Sequence, residues 1–181
     1  KADIICLQEF PAIHLELLKS LDGHVAMCEE VWIYKNNRKP EARLYSVIIS
    51  KFPVHQHIVI PHKTTYGHTN KYRHFQADSF YVDVGTDQGL FRVFNTHFKC
   101  VATPHHRLSQ FKEVVGHLHS EKNNIICGDF NTFGKPLINI FLWKWFGYKT
   151  QELKINENKN LAKLFQLHGL KNPLRKQITF W

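Results

Sequence analysis

Three apolar runs in this sequence stop in side chains of a kind that do chemistry. "IICLQE" ends in Gln8 and Glu9, "FRVFNTH" ends in Asn95, Thr96 and His97, and "IICGDFN" ends in Asp129, Phe130 and Asn131. Each run reads as a buried strand. A strand end is a rigid arm that aims a side chain where loops leave room for a ligand. Glu9 and Asp129 brought together would repel, and each is costly to bury unpaired. A divalent cation resolves that conflict. Mg²⁺ (or Mn²⁺) suits it, being hard, oxygen-seeking and content with one or two carboxylates and several waters. Such an ion would act on a phosphate oxygen.

The neighbouring residues complete that chemistry. Asn131 offers an amide that fixes a water or a phosphate oxygen without adding charge. Gly128 removes a side chain where a ligand must come close. His97 can donate a hydrogen bond to developing phosphate charge or move a proton near neutral pH. Asn95, Asn131 and His97 are the expected substrate contacts, and Asn131 and His97 can also serve catalysis. Each residue taken alone also has an ordinary reading. A Glu after a strand is commonly a solvated loop carboxylate, and G-D-x-N is an ordinary turn sequence. In a chain with 13 histidines, any one of them is more often structural than catalytic. The signal is the joint occurrence, in order, each at the end of an apolar run.

The elements that must position these residues follow from periodicity. "ADIICLQ", "HVAMCEEVWIY", "RLYSVIIS", "HQHIVI", "LFRVFNTHF" and "NIIC" read as strands. "HFQADSFYVDV" alternates as a half-buried strand would, and "TDQG" after it reads as a hairpin turn. "PAIHLELLKSL" reads as a helix with Pro11 in its first turn. In "PHHRLSQFKEVVGHLHS", Leu108, Phe111, Val114, Val115 and Leu118 recur at helical spacing. "KPLINIFLWKWFGY" and "NLAKLFQLHGL" also read as helices, the second stopped by Gly169. Hairpins first, then strand, helix, strand, helix, gives a layered α/β or α+β domain with helices on the outer faces of sheets. No repeat or Pro/Gly/Ser-rich linker divides residues 1–181, so one domain is expected.

The bulk composition agrees with a filled core. Of the 181 residues 43% are hydrophobic, and 14 are Phe, which excludes a disordered chain. The formal net charge of +9 points to an anionic partner: nucleic acid, an acidic membrane surface or a phosphorylated small molecule. Cys6, Cys28, Cys100 and Cys127 form no C-x-x-C pair, which argues against a zinc ribbon or a thioredoxin-type site. Reduced thiols and a cytoplasmic location are the expectation. No run approaches the length of a membrane span.

The motifs together resemble a known family. "ADIICLQE", "YSVIISKFPV", "FNTHF" followed by "RLSQF", and "IICGDFNTF" look like the endonuclease/exonuclease/phosphatase superfamily, which includes DNase I, the abasic-site endonucleases and the neutral sphingomyelinases. The matches run from the first residues to about Phe180, where "GLKNPLRKQITFW" is similar to a segment the family carries before its last strands. The resemblance implies a four-layer sandwich of two packed β-sheets flanked by helices. It implies that Glu9 is a metal ligand, that Asp129 and Asn131 orient or activate the attacking water, and that His97 contacts the phosphoryl oxygen. Arg107 and Gln110 would be packing support, and Ser50 structural. Family members usually carry an Asn on a strand before "LQE" and an Asp-His pair on a strand after "TF". This sequence has neither, so edge strands are expected to be missing at both ends.

The expected function is metal-dependent hydrolysis of phosphoesters, first of all phosphodiesters in nucleic acid. The segment "PHKTTYGHTNKYRHF" interleaves Lys63, Lys71 and Arg73 with Tyr66, Tyr72 and Phe75, a mixture suited to a nucleic-acid backbone and its bases. The alternatives are a lipid phosphodiesterase or phosphatase of the same fold, or a non-catalytic binding module. For the lipid reading, "LINIFLWKWFGYK" supplies the aromatics and lysines of a membrane-surface helix, although aromatic helices more often pack on sheets. No protein partner is expected.

Overall fold

The computed structural model describes residues 2–32, 43–63, 75–76, 78–99, 102–132 and 155–172. Eight strands occur there: β1 (Ile4–Pro11), β2 (His24–Trp32), β3 (Leu44–Ser50), β4 (Val54–Ile60), β5 (Phe75–Gln76), β6 (Ser79–Thr86), β7 (Gly89–His97) and β8 (Asn123–Asp129). They form two four-stranded sheets, ordered β1-β3-β2-β5 and β4-β6-β7-β8. Every pairing is antiparallel except β7 with β8, which is parallel. A parallel pair needs a crossover, and helix α2 (Pro104–Val115) supplies it. Thr103 caps that helix by accepting from the His106 N–H, and Pro104 occupies its first turn.

Alternation along β6 and β7 divides the apolar residues between two interiors. Phe80, Val82, Val84 and Val93 face the other sheet and meet Ala26 and Ile48. Tyr81 and Phe94 face outward and meet Phe98, Phe111, Val114, Val115 and Leu161. The latter core lies under α2 and α3 (Glu157–Leu167). Phe80, Phe94, Phe98 and Phe111 are fully buried, and each such ring stabilises the fold by roughly 1.5–3 kcal/mol. Helix α3 starts at Asn156, whose Oδ1 accepts from the Lys159 N–H at 2.9 Å. It ends before Gly169, whose φ of +67° is the left-handed conformation that closes helices. The two-sheet sandwich with outer helices agrees with the layered α/β architecture expected.

Three expectations are corrected. Pro11 does not open a helix: it closes β1, paired with Leu44, and Ala12 still donates to the Arg43 carbonyl. The helical turn that follows is a 3-10 turn at Ala12–His14 and a short α1 (Leu15–Lys19). The run "HFQADSFYVDV" is two strands in different sheets, since β5 pairs with β2 and β6 with β4 and β7. Nor is β6 half-buried: every residue from Ser79 to Val84 is buried. Its polar side chains are tolerated because they are paired. Asp83 holds Arg92 at 2.8 Å and Lys122 at 2.6 Å, and Ser79 meets His62 at 2.8 Å. The hairpin at "TDQG" is as expected, Thr86 standing opposite Gly89.

The expected helix at 135–148, most of the basic and aromatic segment at 61–75, and the final stretch 173–181 lie outside the described residues. Among the described residues no helix is long and apolar enough to cross a membrane.

Candidate active site

Glu9 sits on a β-bulge. Leu7 stands opposite Val47, but Phe10 stands opposite Tyr45, so Gln8 and Glu9 together face one residue, Ser46. Glu9 takes the extra turn with φ +54°, a conformation costing a non-glycine residue about 1 kcal/mol or more. Bulges re-aim side chains, and this one separates two roles. Gln8 turns inward and donates to Asn95 Oδ1 at 2.5 Å. The Glu9 carboxylate is turned outward, with its side chain 56% exposed.

The strained residue is held from below by Glu30, a residue that sequence reasoning missed. Glu30 is 2% exposed. It accepts from the Glu9 backbone N–H at 3.1 Å, from Ser46 Oγ at 2.6 Å and from His97 Nδ1 at 3.1 Å. One buried carboxylate thus joins the bulge of β1 to the end of β7. In "CEEVW" adjacent residues of a strand point to opposite faces, so one of Glu29 and Glu30 turns inward wherever one face of the strand is covered; nothing local says which.

Burial pushes the Glu30 carboxyl up, but hydrogen bonds from His97 and Ser46 outweigh it and leave the group below its ordinary value. Burial likewise pushes His97 down. The Glu30 hydrogen bond and charge, with Glu9 and Asp129 adding to them, outweigh it and hold the imidazole above its ordinary value. Each partner thus favours the charged form of the other.

The parallel register of β7 and β8 sets the second half of the site. Asn95 lies beside Cys127, Thr96 beside Gly128, and His97 beside Asp129. Gly128 has φ +133°, and a Cβ there would be driven into the backbone and Oγ1 of Thr96. The close approach that demands glycine is thus made by the neighbouring strand; the sequence had suggested a ligand. Beyond the strand, the Phe98 N–H donates to the Asp129 carbonyl at 2.8 Å. Phe130 turns into the helix layer, its ring 5.2 Å from that of Phe98 and 6.0 Å from that of Phe111. Asn131 takes φ +48°, donates its N–H to Asp129 Oδ1 at 2.7 Å and its Nδ2 to the Phe98 carbonyl at 2.7 Å. Anchoring Phe130 fixes the two polar residues that flank it.

Glu9, His97 and Asp129 are brought together. His97 Nε2 lies 4.0 Å from Glu9 Oε1, and the charges of both carboxylates favour protonation of the imidazole. Asn95 is placed differently from the substrate contact expected. It is fully buried, and its Nδ2 donates to the carbonyls of Leu7 at 2.9 Å and Val47 at 3.0 Å. With Gln8 on its Oδ1, its amide is spent tying one sheet to the other. Arg107 and Gln110 support the loop after β7: Gln110 accepts from the Lys99 N–H at 3.3 Å, and Arg107 donates to the Ala102 carbonyl at 2.5 Å. Arg107 also pairs with Glu157 at 2.8 Å, both side chains fully buried. Ser50 closes a turn by donating to the Phe52 carbonyl at 2.9 Å.

Among the described residues no group of three or more His, Cys, Asp and Glu side chains encloses an ion. An exposed carboxylate on a rigid bulge, with a second exposed carboxylate nearby, is still a donor set that fits a largely hydrated hard cation. It does not fit a closed zinc cage.

The sequence matches no family model and no curated protein. Solved structures do match. An endonuclease/exonuclease/phosphatase from Beutenbergia cavernae superposes with a TM-score of 0.57 at 18% identity, covering 77% of this chain and 44% of its own. ANGEL2, a 2',3'-cyclic phosphatase solved with adenosine-2',3'-vanadate, gives 0.56 at 16% identity, covering 98% and 51%. A humanised D. rerio TDP2 gives 0.53 at 15% identity, covering 76% and 56%. The chain therefore spans about half the length of the solved proteins it matches. Two packed sheets, the parallel β7–β8 pair and these superpositions lead to one conclusion: the chain has the endonuclease/exonuclease/phosphatase, or DNase I-like, fold.

Proposed function

We propose that residues 1–181 belong to one domain that hydrolyses phosphoesters with a divalent cation, and that the substrate is a phosphodiester in nucleic acid. The observation that carries this reading is the buried Glu30–His97 ion pair presenting Nε2 4.0 Å from the exposed Glu9 carboxylate, with Asp129 in register beside His97. Glu9 would hold Mg²⁺ or Mn²⁺, and the ion when bound supplies a Lewis acid for a phosphoryl oxygen. The remaining steps belong to the chain. Glu30 fixes the imidazole ring and keeps it charged, so that His97 donates from Nε2 to the phosphoryl oxygen as its charge grows. Asp129 orients the attacking water and takes its proton. Asn131, pinned beside it, positions the phosphate. Asn95 is a positioning residue that keeps the two sheets, and so the two halves of the site, in register.

The nucleic-acid reading is supported by the net charge of +9 and by a D. rerio TDP2 solved with a single-stranded DNA product, TM-score 0.53 at 15% identity. A phosphatase reading is supported by the likeness to ANGEL2. Hydrolysis of a single-stranded oligonucleotide and of a 2',3'-cyclic nucleotide, each with Mg²⁺, separates the two. Asp129→Ala is expected to abolish whichever activity is found. His97→Ala is expected to lower kcat by about 10²–10³-fold while moving KM far less. Oligonucleotide binding without cleavage in every cation tested would instead identify a binding module.

A further inference from the structure

The inner faces of the two sheets bring together two thiols that the proposed hydrolysis does not use. On β1, Cys6 packs into the core between the sheets, on the same strand face as Gln8, which reaches across to Asn95. On β8, Cys127 lies in register beside Asn95, and neighbours in register share a face. Cys6 and Cys127 therefore flank the Gln8–Asn95 bridge from opposite sheets. β1 and β8 lie close to one another across this interior, so the two side chains face each other there. Both are free and only partly buried. Cys28 is not an equivalent partner. It lies two strands from Cys6 across β3, roughly 10 Å at the usual strand spacing, which is beyond the reach of a disulfide.

We propose that Cys6 and Cys127 are an oxidisable pair, a modification site for peroxide-class oxidants that closes to a disulfide between the two sheets. The chemistry balances. The Cys127 thiolate attacks one peroxide oxygen and becomes a sulfenic acid, releasing water once the departing hydroxide is protonated. The Cys6 sulfur then displaces hydroxide from the sulfenic sulfur, forming the S–S bond and a second water. Two thiols and one hydrogen peroxide give one disulfide and two waters.

The bond would pin β1 three residues before Glu9 and β8 two residues before Asp129. It fixes the spacing of the two arms that carry the exposed carboxylates. That consequence rests on the function proposed above; the bond itself does not.

The test is to treat the 181-residue chain with hydrogen peroxide, block remaining thiols, and map peptides without reduction. The expected result is a Cys6–Cys127 linked peptide, a loss of about 2 Da and reversal by dithiothreitol. Cys28→Ser is expected to leave the link intact, and Cys6→Ser to abolish it. Recovery of both Cys6 and Cys127 as blocked thiols, or of either linked to Cys28 or Cys100, would overturn the pairing. Hydrolysis measured before and after oxidation reads the consequence separately. A mapped link with an unchanged rate would overturn the effect on the site while leaving the disulfide in place.

Discussion

Replacing Glu30 by Gln removes one charge and one acceptor from a buried carboxylate that receives three hydrogen bonds. Gln keeps a single acceptor oxygen. If that oxygen stays with Ser46 and the Glu9 N–H, the new NH₂ meets His97 Nδ1–H, donor against donor. A hydrogen bond to a charged group is worth about 1.5–3 kcal/mol, and breaking a buried ion pair costs about 3–5 kcal/mol. His97 can escape the larger penalty by shedding its proton, so a loss of about 2–3 kcal/mol is expected. For a chain of this size that lowers Tm by roughly 5–10 °C. The pH dependence is diagnostic. His97 is raised from 6.5, so its contribution is full below that pH and is lost as pH rises through its folded value. Glu30 is lowered from 4.5, so its contribution is full above that pH and is lost as pH falls through its folded value. Wild type and Glu30→Gln should therefore differ most between about pH 4.5 and 6.5 and converge at higher pH. Thermal unfolding across that range, with an NMR titration of His97, measures both. A Tm difference under about 1 °C, or one equal at all pH values, would refute the ion pair.

Gly128→Ala combines a forbidden φ with a collision against the Thr96 backbone and is expected to cost more than about 3 kcal/mol. Gly89→Ala, also at positive φ but with open space around it, is expected to cost about 1 kcal/mol; urea midpoints compare them, and equal losses would show that the Thr96 contact is not tight. Arg107→Met breaks the fully buried ion pair with Glu157 and is expected to destabilise by about 3–5 kcal/mol. Adding Glu157→Met should restore most of that, and no restoration would deny the pairing. Loss of hydrolysis in Asp129→Ala and a kcat-weighted loss in His97→Ala are the functional counterparts.

His97 and Asp129 of the candidate site were legible because they end strands, and strand ends are marked by a change from apolar to polar. "NTH" and "GDFN" announce themselves in this way, and the parallel register places His97 beside Asp129. Glu9 was legible only as a polar break in "IICLQE": β1 runs on to Pro11, and Glu9 lies on a bulge within the strand instead of at its end. Glu30 was not legible by the same rule, since it lies within a strand and a strand glutamate reads as solvated. Only its pairing with Ser46, His97 and the Glu9 bulge, which joins residues distant in sequence, makes its burial affordable. Asn95 misled for a related reason: its position beside His97 looks like a site, but its face of β7 opens onto the other sheet. Pro11 fits a helix start and a strand end equally well, and pairing with Leu44 decided it. The buried polar face of β6 depended on Arg92, Lys122 and His62, partners that no local pattern in "SFYVDV" identifies.

The most direct measurement of the convergence of Glu9, His97 and Asp129 is Mn²⁺ titration of the isotopically labelled chain followed by NMR. Mn²⁺ broadens signals according to distance. The expected result is the strongest broadening at Glu9, His97 and Asp129, displaced by Mg²⁺ and abolished in Glu9→Gln. Broadening centred elsewhere, or unchanged in Glu9→Gln, would contradict the site.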